Sequence, residues 1–248
     1  MDWSPKNAWD DMATFLSGLA TTLPAKPTAI LLVSAHWRTP VHAVTSNAKP
    51  SLVYDYSGFP EHTYQLQFPA AGDPALAETV TELLTSAGIE CFSDADRGLD
   101  HGAFIPLKLI YPNADVPVVQ LSLTENLDPT SHIRVGKAIG GLRDRGVLIV
   151  GSGMSFHNMI GYGDPKFTRP SELFDNWLTT TLANNADARN EALANWAHAP
   201  CASQCHPMGS EEHLMPLMVS AGAGGNDPGR KIYSQIVMET RLSAFQFG

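Results

Sequence analysis

The chain has 248 residues, of which 44% are hydrophobic, and its formal net charge is −9 at pH 7. This composition predicts a folded globular protein rather than a disordered chain. The negative charge argues against nucleic acid and anionic membrane surfaces as partners, and no apolar run reaches the about 18 residues of a membrane-spanning helix. Three cysteines and a first segment without a signal-peptide pattern favour a cytoplasmic location.

Segments rich in Val, Ile and Leu, bounded by Pro, Gly or polar residues, predict buried strands. These segments are residues 28–35, 116–123, 146–151 and 231–238. Other segments read as helices, two of them beginning at an Asp-Pro pair. The predicted helices cover residues 5–22, 74–88, 102–111, 129–146, 171 to beyond 177, and 214–222. The alternation predicts one α/β domain, residues 1–248, with a mostly parallel central sheet flanked by helices on both faces.

Two histidines come shortly after predicted strands. His36 follows the first strand and precedes Trp37, and His157 follows a Gly-Ser-Gly stretch after the third strand. Open α/β sheets place their active sites at the carboxyl ends of their strands, so both histidines are candidates for a metal or acid–base site. The alternatives are a core histidine at position 36 and a surface histidine at position 157.

Two further histidines stand at the start of predicted helices. His101 follows Asp100, and a helix N-terminus favours a neutral ring; simple capping by Asp100 is the alternative. His213 follows two glutamates, and imidazole together with carboxylate suits iron or zinc. For the glutamates, ordinary pairing with the helix dipole is the alternative.

The long irregular segments 40–72 and 198–212 are candidates for substrate contacts, because long loops in compact domains are usually functional. His62 and Tyr64 lie in the first of them, and His206 lies in the second. His206 could also serve only to shape its loop.

The remaining chemistry-bearing residues favour structural interpretations. His132 and His198 are predicted at the surface, and Cys201 with Cys205 is predicted to be loop packing rather than a zinc site. The sequence contains no nucleophile elbow, P-loop, dinucleotide-binding fingerprint or His-Glu-x-x-His motif.

Taken in order, several short strings resemble the class III extradiol ring-cleavage dioxygenases, in particular the DOPA 4,5-dioxygenase-like subgroup. The strings are Ser34-Ala35-His36-Trp37, Gly58-Phe59-Pro60-Glu61 with Tyr64, Asp100-His101-Gly102-Ala103 with Pro106-Leu107, Gly151-Ser152-Gly153 with His157-Asn158, and Glu212-His213 with Pro216-Leu217 and Gly222-Ala223. Each string is weak by itself, but the ordered set covers nearly the whole chain.

The resemblance implies a non-haem metal, Fe(II) for turnover with Zn(II) as another metal found bound, with His36 and His213 as ligands. It implies that His157 removes a proton from a catechol substrate. It also implies that His101 assists proton transfer as O2 opens the ring to a semialdehyde. We expect the substrate to be bound by Trp37, His62, Tyr64 and His206.

The family has one more ligand, a histidine in a His-Gly motif after an N-terminal strand. The sequence as numbered opens almost directly into a helix and lacks that motif, so we expect the strand to be missing. Family members are often multimers, which makes a homo-oligomer a further expectation. A zinc-dependent hydrolase and a non-catalytic metal-binding relative of the same fold are the alternative functions.

Overall fold

The computed structural model describes residues 5–248, and these fall into two compact units. The first unit comprises the chain up to Glu125 together with Gly141–Val150. The second unit comprises Asn126–Gly140 together with Gly151–Gly248. That residues 1–248 act as one catalytic domain stays a prediction.

A five-stranded sheet organises the first unit. Its strands are β1 (Ala29–Thr39), β2 (His42–Thr45), β3 (Cys91–Asp94), β4 (Val118–Thr124) and β5 (Val147–Ser152), in the order β3-β2-β4-β1-β5. β1 pairs in parallel with β4 and β2 with β3, whereas β2 is antiparallel to β4. The predicted α/β fold with a mostly parallel central sheet is thus confirmed.

The sheet carries the apolar core of the first unit. Residues 29–35 of β1 and all of β4 are buried, as expected for strands covered on both faces. The helices of this unit are α1 (Asp10–Leu19), α2 (Pro74–Ser86) and α3 (His101–Ile110). Core side chains of β1 and α3 pack together with neighbouring segments, among them Ile30, Leu32, Phe68, Leu99, Phe104, Leu107 and Val118.

Helices and a hairpin make up the second unit. The helices are α4 (Pro129–Ile139), α5 (Thr168–Leu182), α6 (Ala186–Ala194), α7 (Ala202–Cys205) and α8 (Met215–Ala223), and the hairpin pairs β6 (Gly229–Val237) with β7 (Thr240–Phe247). α4 packs closely on α8 because Gly136 has no side chain; a Cβ there would lie 2.0 Å from the carbonyl oxygen of Val219.

The structure corrects several details of the sequence prediction. The strand predicted at 231–238 forms, but in the separate hairpin instead of the main sheet. The short strands β2 and β3 lie in segments that carry no long apolar run. His132 is wrong as a surface residue, because it is fully buried and its Nδ1 lies 2.7 Å from the carbonyl oxygen of Asp128. Exposed His198 is confirmed.

None of the helices within residues 5–248 has the length and apolar character needed to cross a bilayer.

Candidate active site

His36 lies inside β1, at an irregularity of the strand. The sequence had predicted it just after the end of that strand. The register against β4 pairs Val33 with Leu121 and then Arg38 with Leu123. The intervening residues of β1 therefore outnumber those of β4, as in a β-bulge. Such bulges redirect side chains and are common beside active sites. The Ser34 hydroxyl accepts a hydrogen bond from the backbone N–H of His36 at 3.1 Å and supports His36 at this irregularity.

A buried carboxylate connects the bulge to the start of α3. Asp100 is fully buried, and its Oδ1 accepts a hydrogen bond from Ser34 Oγ at 2.7 Å. Its Oδ2 accepts hydrogen bonds from Gln120 and, at 3.2 Å, from Arg97. Asp100 therefore ties the residue that supports His36 to the residue that precedes His101, instead of capping the helix with its side chain.

Gly102 allows α3 to approach the bulge. A Cβ at this position would lie 2.5 Å from Ser34 Oγ and 2.9 Å from Cδ2 of His36. The glycine that follows His101 in the sequence is thus required for close approach. As a result the rings of His36 and His101 meet, with centroids 3.9 Å apart and planes tilted by 42°.

Asp55 contacts His101, and the sequence did not identify it as a candidate site residue. Its Oδ1 lies 2.7 Å from His101 Nδ1 and 3.1 Å from the His101 backbone nitrogen. Burial raises the pKa of Asp55, but hydrogen bonds from the His101 ring and backbone, with the attraction of its ring charge, outweigh burial and lower that pKa below its ordinary value. The carboxylate is therefore ionised at neutral pH.

A second cluster, around His157 and His213, depends on glycines at and just beyond the end of β5. A Cβ at Gly153 would lie 2.1 Å from the carbonyl oxygen of His213, and the next residue, Met154, donates its backbone N–H to that same oxygen at 3.1 Å. A Cβ at Gly151 would lie 2.5 Å from the carbonyl oxygen of Pro216 in α8. The Gly-Ser-Gly stretch thus lets the chain approach its own segment around His213.

This approach stacks His157 on His213. The ring centroids are 3.4 Å apart with an interplanar angle of 15°, and the backbone N–H of His157 donates to the carbonyl oxygen of Cys205 at 3.0 Å. Glu212 Oε1 lies 4.0 Å from His157 Nδ1. Burial lowers the pKa of His157, and the Glu212 charge only partly opposes this, so its ring is neutral at pH 7.

Both clusters suit a metal by the chemistry of their donors. The ligand atoms of His36, Asp55 and His101 all lie within 4.8 Å of one another, as do those of His157, Glu212 and His213. Imidazole and carboxylate are the donors of non-haem iron and of zinc sites. Each predicted ligand, His36 or His213, contacts a predicted acid–base residue. The assignment of ligand roles stays a prediction.

The residues expected to bind the substrate are placed differently from one another. Trp37 is 5% exposed and its ring is covered by the Arg97 guanidinium, 5.4 Å from the ring centroid. His62 is exposed. Tyr64 is half-buried, and its ring lies 5.2 Å from that of Tyr56, which in turn contacts His101. Tyr64 is therefore linked to the first cluster through one aromatic neighbour.

His206 is fully buried, which does not support its direct contact with a substrate. Its Nε2 lies 3.1 Å from the carbonyl oxygen of Ser155, and aromatic rings of Phe174 and Trp196 lie 5.4 and 6.1 Å from its ring. Burial lowers the pKa of His206 to about 4. This environment supports the structural alternative, in which His206 shapes the loop that follows α7.

The chain is similar to known proteins over nearly its whole length. The model of the catalytic LigB subunit of aromatic ring-opening dioxygenase matches residues 4–246, which cover both units. The chain is 41% identical over 207 residues to a 4,5-DOPA dioxygenase extradiol of Beta vulgaris, covering 82% of this chain and 75% of that protein. It is 36% identical over 235 residues to dioxygenase tasH of Hapsidospora irregularis, covering 90% and 72% respectively.

Bacterial proteins are similar over more of their length. A 4,5-DOPA dioxygenase extradiol of Escherichia coli K12 is 33% identical over 231 residues, covering 91% of this chain and 84% of that protein. The crystal structure of uncharacterized protein JW3007 from the same species superposes with a TM-score of 0.77 at 30% identity, covering 95% and 92% of the two chains. The chain therefore belongs to the LigB family of aromatic ring-opening dioxygenases and is a metal-dependent enzyme that cleaves aromatic rings.

Proposed function

We propose that the protein uses Fe(II) and O2 to open the ring of a catechol at a bond beside the diol, giving a ring-opened semialdehyde. One observation carries this proposal: in each unit two histidine rings touch beside a carboxylate. Such donor sets provide both metal ligands and proton carriers, and ring opening of a diol needs both.

His36 and His213 are the proposed metal ligands. His36 is positioned by the β1 bulge and by Ser34, and His213 by the close approach of Gly153. Ligands fixed by surrounding hydrogen bonds and packing bind metals more tightly than mobile ones. Bound Fe(II) would supply the redox chemistry through which O2 reacts with an aromatic diol.

His157 and His101 are the proposed proton carriers. His157 accepts a proton from a hydroxyl of the catechol, since a neutral imidazole offers one free nitrogen. His101 delivers a proton to oxygen as the ring opens. Both oxygen atoms of O2 enter the product and the protons are returned, so the reaction needs no other reductant.

A catechol with an amino-acid side chain is the proposed first substrate to test. Relatives from Beta vulgaris and Escherichia coli K12 carry the name 4,5-DOPA dioxygenase extradiol, which supports DOPA as the compound of choice. The sparse cysteines support action in a reducing compartment such as the cytoplasm.

The test is oxygen uptake by metal-loaded protein. We expect the Fe(II)-loaded protein, supplied with DOPA or a simple catechol, to consume one O2 per catechol and to form a product with new visible absorbance. The Zn(II)-loaded protein serves as the control and should consume none. Hydrolysis of ester or amide substrates by the Zn(II) form, without oxygen uptake by the Fe(II) form, would contradict the proposal.

A further inference from the structure

Asp55 holds His101 by two contacts to a single oxygen atom. Oδ1 of Asp55 accepts from Nδ1 of the ring at 2.7 Å and from the backbone N–H of the same residue at 3.1 Å. One carboxylate oxygen therefore fixes the ring relative to its own main chain. The Asp55 side chain is 21% exposed and that of His101 is 25% exposed, so water competes only in part for these hydrogen bonds.

The chain brings Asp55 to His101 through the backbone. Leu52 and Leu99 form a parallel bridge, in which the Val53 N–H donates to the Leu99 carbonyl and the Leu99 N–H donates to the Ser51 carbonyl, both at 2.8 Å. Asp55 and His101 stand three and two residues beyond this bridge. Their contact is therefore built into the backbone, although 46 positions separate them.

The ring of His101 is also confined by its aromatic neighbours. The Tyr56 ring makes a T-shaped contact with it, with centroids 5.5 Å apart, and the Tyr56 hydroxyl is fixed by donating to the Thr63 carbonyl at 2.6 Å. The ring of His36 lies 3.9 Å away. These contacts limit rotation of the imidazole, so the hydrogen bond to Asp55 selects one ring orientation.

We propose that Asp55 is a positioning residue that holds a hydrogen on Nδ1 of His101 and leaves Nε2 as the nitrogen that exchanges protons during ring opening. An ionised carboxylate only accepts hydrogen bonds, so it selects the tautomer that carries hydrogen on the nitrogen it contacts. This proposal rests on the proposed role of His101 in proton transfer.

A competing role for Asp55 is that of a metal ligand, because its carboxylate lies within 4.8 Å of nitrogen atoms of His36 and His101. The separation of 2.7 Å between Nδ1 and Oδ1 favours the positioning role. At that distance the two atoms share a hydrogen, so each already uses the other as its partner. Metal content distinguishes the two roles directly.

The first test reads the tautomer without turnover. The Zn(II)-loaded protein, which is diamagnetic, is labelled with ¹⁵N in its histidine rings, and the His101 signals are assigned by their loss in His101→Gln. We expect hydrogen on Nδ1 in the wild type and a mixture of tautomers in Asp55→Ala. Asp115→Ala, which removes a carboxylate that pairs with Lys26 elsewhere in the same unit, should match the wild type. An unchanged His101 tautomer in Asp55→Ala would overturn the positioning role of Asp55 but would leave the proposed function standing.

The second test measures kinetics in the Fe(II)-loaded protein. Asp55→Ala should lower kcat by about 10- to 100-fold, the usual effect of removing such an orienting partner, with its metal content unchanged. Asp55→Asn keeps a neutral acceptor and should recover part of the loss. In a His101→Ala background, Asp55→Ala should have no further effect, because Asp55 acts through that ring.

Other outcomes separate this proposal from the function itself. Loss of metal in Asp55→Ala would make Asp55 a ligand and overturn the positioning role. Additive losses in the double variant would show that Asp55 acts independently of His101 and would also overturn it. Full turnover in His101→Ala would instead overturn the role of His101 in the proposed function, and with it the catalytic purpose of Asp55.

Discussion

The two histidine clusters contain the same groups but hold them differently. In the first unit the carboxylate of Asp55 makes a 2.7 Å hydrogen bond to His101, whose ring is tilted by 42° against that of His36. In the second unit the carboxylate of Glu212 lies 4.0 Å from His157, and the rings of His157 and His213 stack within 15° of parallel. In the first cluster a charge-assisted hydrogen bond orients a histidine ring, whereas in the second two histidine rings stack on each other.

We propose that this difference separates two kinds of proton carrier. When an imidazole ring is hydrogen-bonded to an ionised carboxylate, one of its nitrogens is occupied by that partner. The ring then has a fixed orientation, and this suits a group that delivers a proton from a fixed direction. A buried ring with a more distant carboxylate stays neutral, since burial disfavours its charged form. Such a ring suits a group that first accepts a proton. The predictions below test this contrast, in order of decreasing expected effect.

Loss of the proton acceptor should have the largest effect. We expect His157→Ala to lower kcat by about 10²- to 10⁴-fold, the usual contribution of a general base. His157→Ala should lower kcat less when the substrate is more acidic, because such a hydroxyl loses its proton more readily without a base. The loss of kcat in His101→Ala should not follow substrate acidity, because its step comes after proton removal. Steady-state oxygen uptake with catechols of graded hydroxyl pKa measures both effects. Equal sensitivity of the two variants to substrate acidity would contradict the contrast.

Removal of a buried carboxylate should lower stability in either unit, but should weaken metal binding only where the carboxylate supports His36. Asp100→Ala leaves Arg97 without its buried partner and should lower the free energy of unfolding by about 3–5 kcal/mol. Asp175→Ala is the matched control in the second unit, where Asp175 is buried and pairs with Lys231 at 2.6 Å. Both should unfold at lower denaturant concentration. Only Asp100→Ala, which disturbs Ser34 and His36, should also weaken metal binding; equal weakening in both would contradict the account.

Stability should fall in mild acid because of buried neutral histidines. The pKa of His206 is about 4 in the folded protein against 6.5 for an ordinary histidine, so the unfolded chain binds the proton more tightly. The stability from this group is therefore complete above pH 6.5 and is lost as the pH falls towards 4, with a full effect of about 3 kcal/mol.

Urea unfolding at pH 7.5 and pH 5 measures this dependence. His206→Gln should reduce the slope of stability against pH, whereas His198→Gln, at an exposed position, should leave it unchanged. Burial lowers the pKa of His42 and of His157 in the same direction, so part of the slope should remain. An identical slope in wild type and His206→Gln would contradict the assignment.

Replacing the glycine that allows close approach should cost less stability in the first cluster than in the second. The Cβ added by Gly102→Ala meets side-chain atoms of Ser34 and His36, whereas that added by Gly153→Ala meets the backbone carbonyl of His213 at 2.1 Å. We expect each substitution to lower the free energy of unfolding by about 1–3 kcal/mol. Gly153→Ala should be at the upper end, because backbone atoms move aside less readily than side-chain atoms. Gly18→Ala in α1, where the added Cβ contacts nothing within 4 Å, is the control. Thermal unfolding ranks the three variants, and the reverse order would contradict this geometry.

The histidines of the candidate site could be identified from the sequence, but the residues that position them could not. His36, His101, His157 and His213 stand beside elements whose apolar periodicity is readable, and the structure brings them together in two pairs. Asp55 could not be predicted, because its segment has no periodicity and reaches His101 only through the bridge of Leu52 to Leu99. A contact made by a two-residue ladder leaves no pattern in a single sequence.

The fold shows the same division. The long apolar strands β1 and β4 were predicted to within a few residues, since buried parallel strands form continuous hydrophobic runs. β3, with the sequence Cys-Phe-Ser-Asp, is partly exposed at the edge of the sheet and has no such run. His132 was placed wrongly at the surface because its polar ring is satisfied by the backbone of its own helix.

Metal analysis of four alanine variants tests the division between ligands and proton carriers most directly. After loading with Fe(II) without oxygen and removal of excess metal, His36→Ala and His213→Ala should each retain little iron. His101→Ala and His157→Ala should retain nearly the wild-type amount while losing turnover. Equal iron loss in all four variants, or iron retained by His36→Ala and His213→Ala, would contradict the account.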